Sequence, residues 1–399
     1  MSGARALKRF ILSEKIFIGR IRNHRTIMSS GNDASSSTLI ERILTLDRSS
    51  ELAHQYTPLI LFHPNQALNS VDSLKCAGES SSYVAVGHAQ TSLVDSALLH
   101  CRDDNDKPIF VKERIPNSHG IMTDVLQLYM DTRVRDDVNN GRYRYDHRQL
   151  FQKRTEAFEY VADYLILTRV IPRRHADLYP IYPFMDGEDR ANDKTMLLAH
   201  INRNTAPYLG IDSVGVHLNC YVKENNRIGG VWLAKRASTK SHHFGYWDCT
   251  VAGGHPINLS LVDNIVKESQ EEAGVPAEWI LHESSMDDDS DTLFSDNTHD
   301  PLMITTAKSD GTCMKRSLYY SCDLQVPHSW RPTPVDGEVS EFRLYSIKEL
   351  EEELRYGDIV RPSIRAVLVD FMIRHEQLKG GDDINLLRDA MRRSRLLLW

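Results

Sequence analysis

Gly253-Gly254-His255-Pro256-Ile257-Asn258-Leu259-Ser260-Leu261-Val262-Asp263-Asn264-Ile265-Val266-Lys267-Glu268-Ser269-Gln270-Glu271-Glu272-Ala273-Gly274-Val275 decides how this chain is read. It sets Glu268, Glu271 and Glu272 at the i, i+3, i+4 spacing of an α-helix, just before a terminating Gly274. Residues at that spacing share one helical face. Carboxylates crowded there repel one another, and a divalent cation removes the repulsion. Mg²⁺ suits such a cluster, with Mn²⁺ as a substitute, because it is a hard ion shared between a few carboxylates and substrate phosphates. The plain alternative is a solvated, Glu-rich helix end. Against it, Val251-Ala252-Gly253-Gly254 puts a short apolar run and paired glycines directly ahead of the helix. Glycines there permit a tight loop whose N–H groups approach phosphate.

The same spacing resembles the signature of the Nudix family: G, five residues, E, seven residues, R-E-U, one residue, E-E, one residue, G-U, with U aliphatic. Gly253 opens it, and Lys267 to Val275 closes it in register. Leu259 stands where the first Glu belongs, Lys267 replaces the Arg, and Ser269 takes the aliphatic position. The three carboxylates that bind metal in Nudix enzymes are intact. The absent pair resembles a supporting ion pair, so the departures touch geometry more than chemistry.

At 399 residues, two or three domains are expected, each large enough to bury a core. A net charge of −7 without a dominant basic stripe argues against general nucleic-acid binding. Part of the acidity is local, in the run Asp287, Asp288, Asp289 and Asp291, which reads as a surface insertion. Six scattered cysteines without a C-x-x-C pair read as reduced thiols. His217 and the pair His242-His243 lack metal-ligand spacing and read as core or solvated histidines. No apolar run is long enough to span a bilayer.

The first residues differ from the rest. Arg5, Lys8, Arg9, Lys15, Arg20, Arg22 and Arg25 face one acid, Glu14, and Ser-rich residues 29–37 follow. That is the composition of a transit peptide to mitochondria or another organelle. A disordered basic tail is the alternative, with Met28 as a second start and a cytoplasmic protein as the consequence.

Four regions are expected: a leader over 1–50, an α+β domain over 51–210, a catalytic-type α/β domain over 211–376 and an amphipathic C-terminal helix over 377–399. In the first domain, Tyr83–Gly87 and Pro108–Val111 read as strands. Phe151–Leu165 reads as a helix, and so does Met196–Tyr208. In the second, Gly215–Val222 and Val231–Arg236 pair across an Asn225-Asn226-Arg227 turn. Further strands are predicted at Leu318–Leu324 and Val339–Tyr345, with helices at Ile347–Tyr356, Ile364–Arg374 and Asn385–Leu398. This pattern fits the α/β/α sandwich with a mixed sheet that Nudix domains adopt, preceded by a smaller α+β domain.

Gly215–Asn219, Ala234-Lys235-Arg236, Asp248–Gly254 and Asp336–Phe342 are similar to one branch of the family. These are two-domain eukaryotic Nudix proteins of plants and yeast labelled thiamine-pyrophosphokinase-related. Their first domain, of unknown function, is matched loosely by Asp177–Ile181 and Ile201–Gly210. That branch also lacks the first box Glu and uses Lys for Arg. The resemblance implies hydrolysis of thiamine diphosphate, or its oxy- and oxo-analogues, to the monophosphate plus phosphate. A kinase is not supported, since no G-x-x-x-x-G-K-[ST] loop is present.

Chemically, Glu268, Glu271 and Glu272 would hold the metal, which would bridge phosphate oxygens and orient a water. Glu271, Glu272, Glu338 and Glu341 are the candidate catalytic acids, with Glu338 or Glu341 as the base. A solvated strand or turn acid is the alternative for both. Lys235, Arg236, Gly253 and Gly254 would meet the diphosphate, with a surface role the alternative for either basic residue. Trp247, Tyr246 or Trp232 would stack on a pyrimidine or equally on the base of a nucleoside diphosphate, with core packing the alternative. The partner is a small-molecule diphosphate; the oligomeric state is open. An isopentenyl-diphosphate-isomerase-like reading needs a Cys where Gly253 stands. A non-catalytic diphosphate-binding module, suggested by Leu259, is the stronger rival.

Overall fold

The computed structural model describes residues 39–44, 55–62, 83–116, 121–140, 147–183, 197–240, 242–282, 301–307, 313–378 and 383–392. The expected leader up to residue 38, the acidic run 287–291 and the end of the C-terminal helix beyond 392 lie outside them. Residues 39–399 form one compact unit.

The unit begins inside the stretch expected to be leader. Helix α1 (Leu39–Leu44) buries Leu39 and Ile43. A four-stranded sheet follows, with order β2-β1-β4-β3, from β1 (Tyr56–Phe62), β2 (Tyr83–Gln90), β3 (Phe110–Pro116) and β4 (Met122–Leu128). Helices α2 (Thr91–Ser96) and α3 (Tyr129–Asn139) join these strands to the long α4 (His147–Leu167). Phe158, Val161 and Leu165 of α4 meet Leu59, Leu61 and Leu126 in one core. Within it, Arg154 and Asp131 form a buried ion pair at 3.0 Å, and Asp131 also accepts the Phe62 N–H.

The helix expected over Met196–Tyr208 is absent among the described residues, 197 onward. In its place stand β6 (Ala199–Asn202), antiparallel to β5 (Leu178–Ile181), and a 3-10 turn at Ala206–Leu209. Ala199 and Ile201 alternate into the core, and Pro207 supports only the tight turn. Two core residues eight and six positions upstream of a proline satisfy strand and helix patterns alike; the partner strand decides. Gly210, at φ 60°, ends the turn with no room for a side chain beside the His88 backbone.

The second half is a mixed seven-stranded sheet. Its path is β11 (Leu302–Ala307), β12 (Met314–Gln325), β7 (Ser213–Glu224), β8 (Arg227–Arg236) and β13 (Val339–Ser346). Short β9 (Trp247–Asp248) pairs with β8, and β10 (Val251–Gly254) pairs with β7. β12 runs parallel to β7; the other pairings are antiparallel. Asn225 and Asn226 both take positive φ, as the tight β7–β8 hairpin requires.

Alternation along β7 builds the layers. Val214, Val216, Leu218 and Cys220 pack with Leu261 and Ile265 of α5 (Leu261–Ala273). Tyr221, on the other face, meets Phe371 of α8 (Pro362–Arg374) with ring centroids 5.8 Å apart. The result is the expected α/β/α arrangement. Helix α6 (Ala277–His282) follows α5, and α7 (Ile347–Tyr356) follows β13 through a capping box at Ser346 and Glu349. Helix α9 (Ile384–Arg392) buries Leu386, Leu387 and Met391, and its Arg392 pairs with Asp370 of α8 at 2.7 Å.

Candidate metal and substrate site

The site is built where α5 lies on β10. Ser260 caps α5 by accepting the Asp263 N–H, and Gly274 ends it in the left-handed region at φ 65°. Two side chains pin the helix to the strand. Asn264 Nδ2 donates to the Gly254 carbonyl at 3.1 Å, and Glu272 Oε2 accepts the Ala252 N–H at 2.9 Å. Gly253 is bare because Glu268 lies over it: a Cβ would stand 2.4 Å from Glu268 Cγ.

The carboxyl end of α5 receives a strap. Asp336 N–H donates to the Glu271 carbonyl, satisfying a helix-end acceptor, and Glu338 N–H donates to Asp336 Oδ1 around Gly337 at φ 78°. This turn brings carboxylate oxygens of Glu272, Asp336 and Glu338 within 4.8 Å of one another. All are hard oxygen donors, one is buried, and the set fits a divalent cation. Burial pushes the Glu272 carboxyl up, against the Ala252 hydrogen bond and the nearby Lys240 ammonium. Lys240 stands among the acids, ion-paired with Glu338 and 3.9 Å from Glu272 Oε1, and burial lowers its own pKa.

The other expected ligands sit beside this trio. Glu268 and Glu271 share Lys267 Nζ, at 3.2 and 2.7 Å. Lys267, which lacks the first box Glu as a partner, has taken the box's own acids instead. Burial raises the Glu268 pKa while Lys267 lowers it. Glu341 lies on β13 opposite Lys235 of β8 and binds it at 2.8 Å, apart from the trio.

Arg236 turns to Asp248, at 3.2 Å, and Arg361 approaches the same carboxylate at 3.2 Å. Burial opposes ionisation of Asp248, but Arg361 and Arg236 hold its carboxyl below the usual range. Trp247 fixes Arg361: its N–H donates to Ile359, and its carbonyl accepts the Arg361 N–H. The Trp247 ring is 8% exposed, packs edge-on against Tyr345 and carries Lys235 Nζ 5.7 Å above it. Trp232 is equally enclosed and meets Trp330, whereas Tyr246 is 37% exposed.

His217, read from sequence as a core residue, is buried with Nδ1 3.2 Å from Cys249 Sγ, beside Asp248. Burial lowers the imidazole to about 3 and raises the thiol, so neither is charged near neutrality. A cation there would face both guanidiniums on Asp248.

Sequence reasoning quoted Asp336 without giving it a role, and missed Lys240 and Arg361. The Asp336-Gly337-Glu338 triplet carried a signal, two acids flanking a turn glycine ahead of a strand. Lys240 and Arg361 sit in loops whose return to α5 and β9 has no local signature.

No family model matches the chain. By sequence it is similar to Nudix hydrolases. It is 29% identical over 224 residues to Nudix hydrolase 24, chloroplastic, of Arabidopsis thaliana, which covers 56% of this chain and 55% of that one. Nudix hydrolase 20, chloroplastic, from the same plant is also 29% identical over 224 residues, 56% of this chain and 54% of the other. An uncharacterized Saccharomyces cerevisiae protein is 29% identical over 198 residues, 49% of this chain and 57% of its own length. The chain spans about half the length of the curated relatives it matches. Among solved structures, a Nudix hydrolase from M. smegmatis aligns at 15% identity over 43% of this chain and 89% of its own, with a TM-score of 0.27.

Proposed function

We propose that the protein is a divalent-metal-dependent hydrolase of a diphosphate linked to another moiety. The observation that carries this reading is the buried Glu272, bound to Ala252 N–H beside the Gly253-Gly254 strand, with Asp336 and Glu338 oxygens within 4.8 Å. Glu272, Asp336 and Glu338 would hold Mg²⁺ or Mn²⁺, with Glu268 and Glu271 completing the set by releasing Lys267. The bound ion would neutralise phosphate charge and lower the pKa of a coordinated water. Glu338, half exposed in the trio, would accept that water's proton once Lys240 is displaced. Glu341 is less suited, because it lies on β13 beside Lys235 and outside the trio.

The substrate we favour is thiamine diphosphate or a damaged analogue, on the strength of the branch resemblance; Trp232 and Trp247 are enclosed in the fold, which leaves Tyr246 as the candidate ring open to stack. A panel of diphosphates with Mg²⁺ tests it, with phosphate and monophosphate as readouts. Preference for an ADP-linked sugar or dinucleotide over all thiamine compounds would remove the thiamine assignment and leave the hydrolase.

Lys240 favours a second reading, a diphosphate-binding module without turnover. Its ammonium already stands among the trio, where a metal would sit. Binding without phosphate release would establish that reading. Residues 1–38 fit import into an organelle, in keeping with plant relatives named chloroplastic. A fluorescent fusion of those residues should leave the cytosol; a diffuse signal would retire the import idea alone.

A further inference from the structure

The α8 face of the sheet holds a second feature, at the same level as β10 but across from α5. Gly254 pairs with Gly215, and Gly215 pairs with Tyr319, so all three share that face. The two glycines let neighbouring side chains lie directly on the strands. A Cβ on Gly215 would meet the Tyr319 ring at 3.2 Å and His217 Nε2 at 3.4 Å. His217 Nε2 is buried and bonds to none of the described residues.

The wall over Gly254 comes from the first half of the chain. A Cβ there would lie 3.3 Å from the Tyr179 hydroxyl and 3.4 Å from the Arg203 guanidinium. Lys315, four residues before Tyr319 on the same face of β12, has Tyr319, Arg361 and Arg203 as electrostatic neighbours. Arg361 closes the ring at the start of α8, where the free helix N–H groups add positive potential. Arg203, Lys315, Arg361 and Arg236 outnumber the two carboxylates that meet them, Asp177 and Asp248. An electropositive cluster, whose Arg361 also has Glu272 among its electrostatic neighbours, fits a ligand whose anionic group is shared between the cations and the carboxylates.

We propose that Arg203, Lys315 and Arg361 hold the substrate's diphosphate at the Gly254 end of β10, so that the first half of the chain completes the site. This rests on the diphosphate reading above and gives the first domain a role in it: Arg203, directly after β6, meets the substrate, and Tyr179 of β5 positions it, with the guanidinium 5.7 Å from the Tyr179 ring centroid.

Calorimetric titration of the full chain with methylenediphosphonate, in Mg²⁺, tests the inference. Arg203→Ala and Lys315→Ala should each weaken binding roughly ten- to a hundredfold, the scale of a charged hydrogen bond. Arg203→Lys should recover part of it. Asp177→Asn breaks the 2.9 Å pair with Arg203 but leaves the cation, so binding should hold or tighten. A purely structural Arg203 would make Asp177→Asn as damaging as Arg203→Ala, and that result overturns the inference. So does wild-type affinity in both alanine variants, or no binding by the wild type. Turnover separates the two levels. Normal hydrolysis in both alanine variants sinks the inference and spares the hydrolase; charge-dependent binding without any phosphate release does the reverse.

Discussion

Glu272 concentrates the chemistry at the scale of one residue. Its pKa is raised to about 8 by burial, against about 4.3 for a free glutamate. Between those values the folded state holds a proton that the unfolded chain has released. Without metal, this group's contribution to stability therefore falls as pH rises through that window. A cation needs the carboxylate, so Mg²⁺ or Mn²⁺ affinity should climb with pH over the same window and level off above it. Calorimetry in buffers of different ionisation heat should show proton release on binding; affinity independent of pH would contradict the placement of Glu272 in the metal set. The two candidate bases separate similarly. Glu338→Gln should cost two or more orders of magnitude in kcat, whereas Glu341→Gln should change it less than about threefold. Equal losses would return Glu341 to the site. Sequence showed the acids on α5 because helical spacing is local. It did not show which carboxylates meet, since Asp336 and Glu338 reach Glu272 only through a turn strapped to the helix end.

At the scale of elements, the ends of α5 and the placement of α1 are testable. Gly274→Ala forces a side chain into the left-handed region and should destabilise by about 1 kcal/mol, read as a shift in denaturation midpoint. No shift would mean that the helix end relaxes. Arg42 of α1 donates to the Arg355 carbonyl and pairs with Asp358 at 2.9 Å, clamping α1 on the α7–α8 turn. Removing residues 1–38 should leave the melting temperature unchanged. Removing 1–44 also exposes the sites of Leu39 and Ile43, each worth about 1.5–3 kcal/mol when buried, and should lower it by several degrees. Equal melting temperatures would mean that α1 is dispensable; on the import reading, cleavage falls before Leu39. Among the long elements, α4 was legible because its apolar face is continuous, β7 because apolar residues alternate with His217, Asn219 and Tyr221, and α8 because its apolar run is long. β1 was not: all seven of its residues are buried, so no alternation marks it.

At the scale of the whole molecule, the division expected at residue 210 separates two sheets but not two independent bodies. Leu209 and Ile211 belong to the core of the first half, and Gly87 has no side chain because the Leu209 carbonyl lies where a Cβ would stand. Gly254 of β10 lies against Tyr179 and Arg203 of the first half, with the Tyr179 hydroxyl 3.3 Å from where a Cβ would stand. Unfolding should therefore be a single transition across both halves, and Gly87→Ala should lower it. Two well-separated transitions would restore two domains. The central claim concerns catalysis, and phosphorus NMR of a diphosphate panel with purified full chain reaches it most directly. With Mg²⁺, the wild type should release phosphate from at least one substrate, chelation should stop it, and Glu272→Gln should slow it by two or more orders of magnitude while remaining folded. Undiminished turnover in a folded Glu272→Gln variant, or no turnover of any diphosphate by the wild type, would contradict the account.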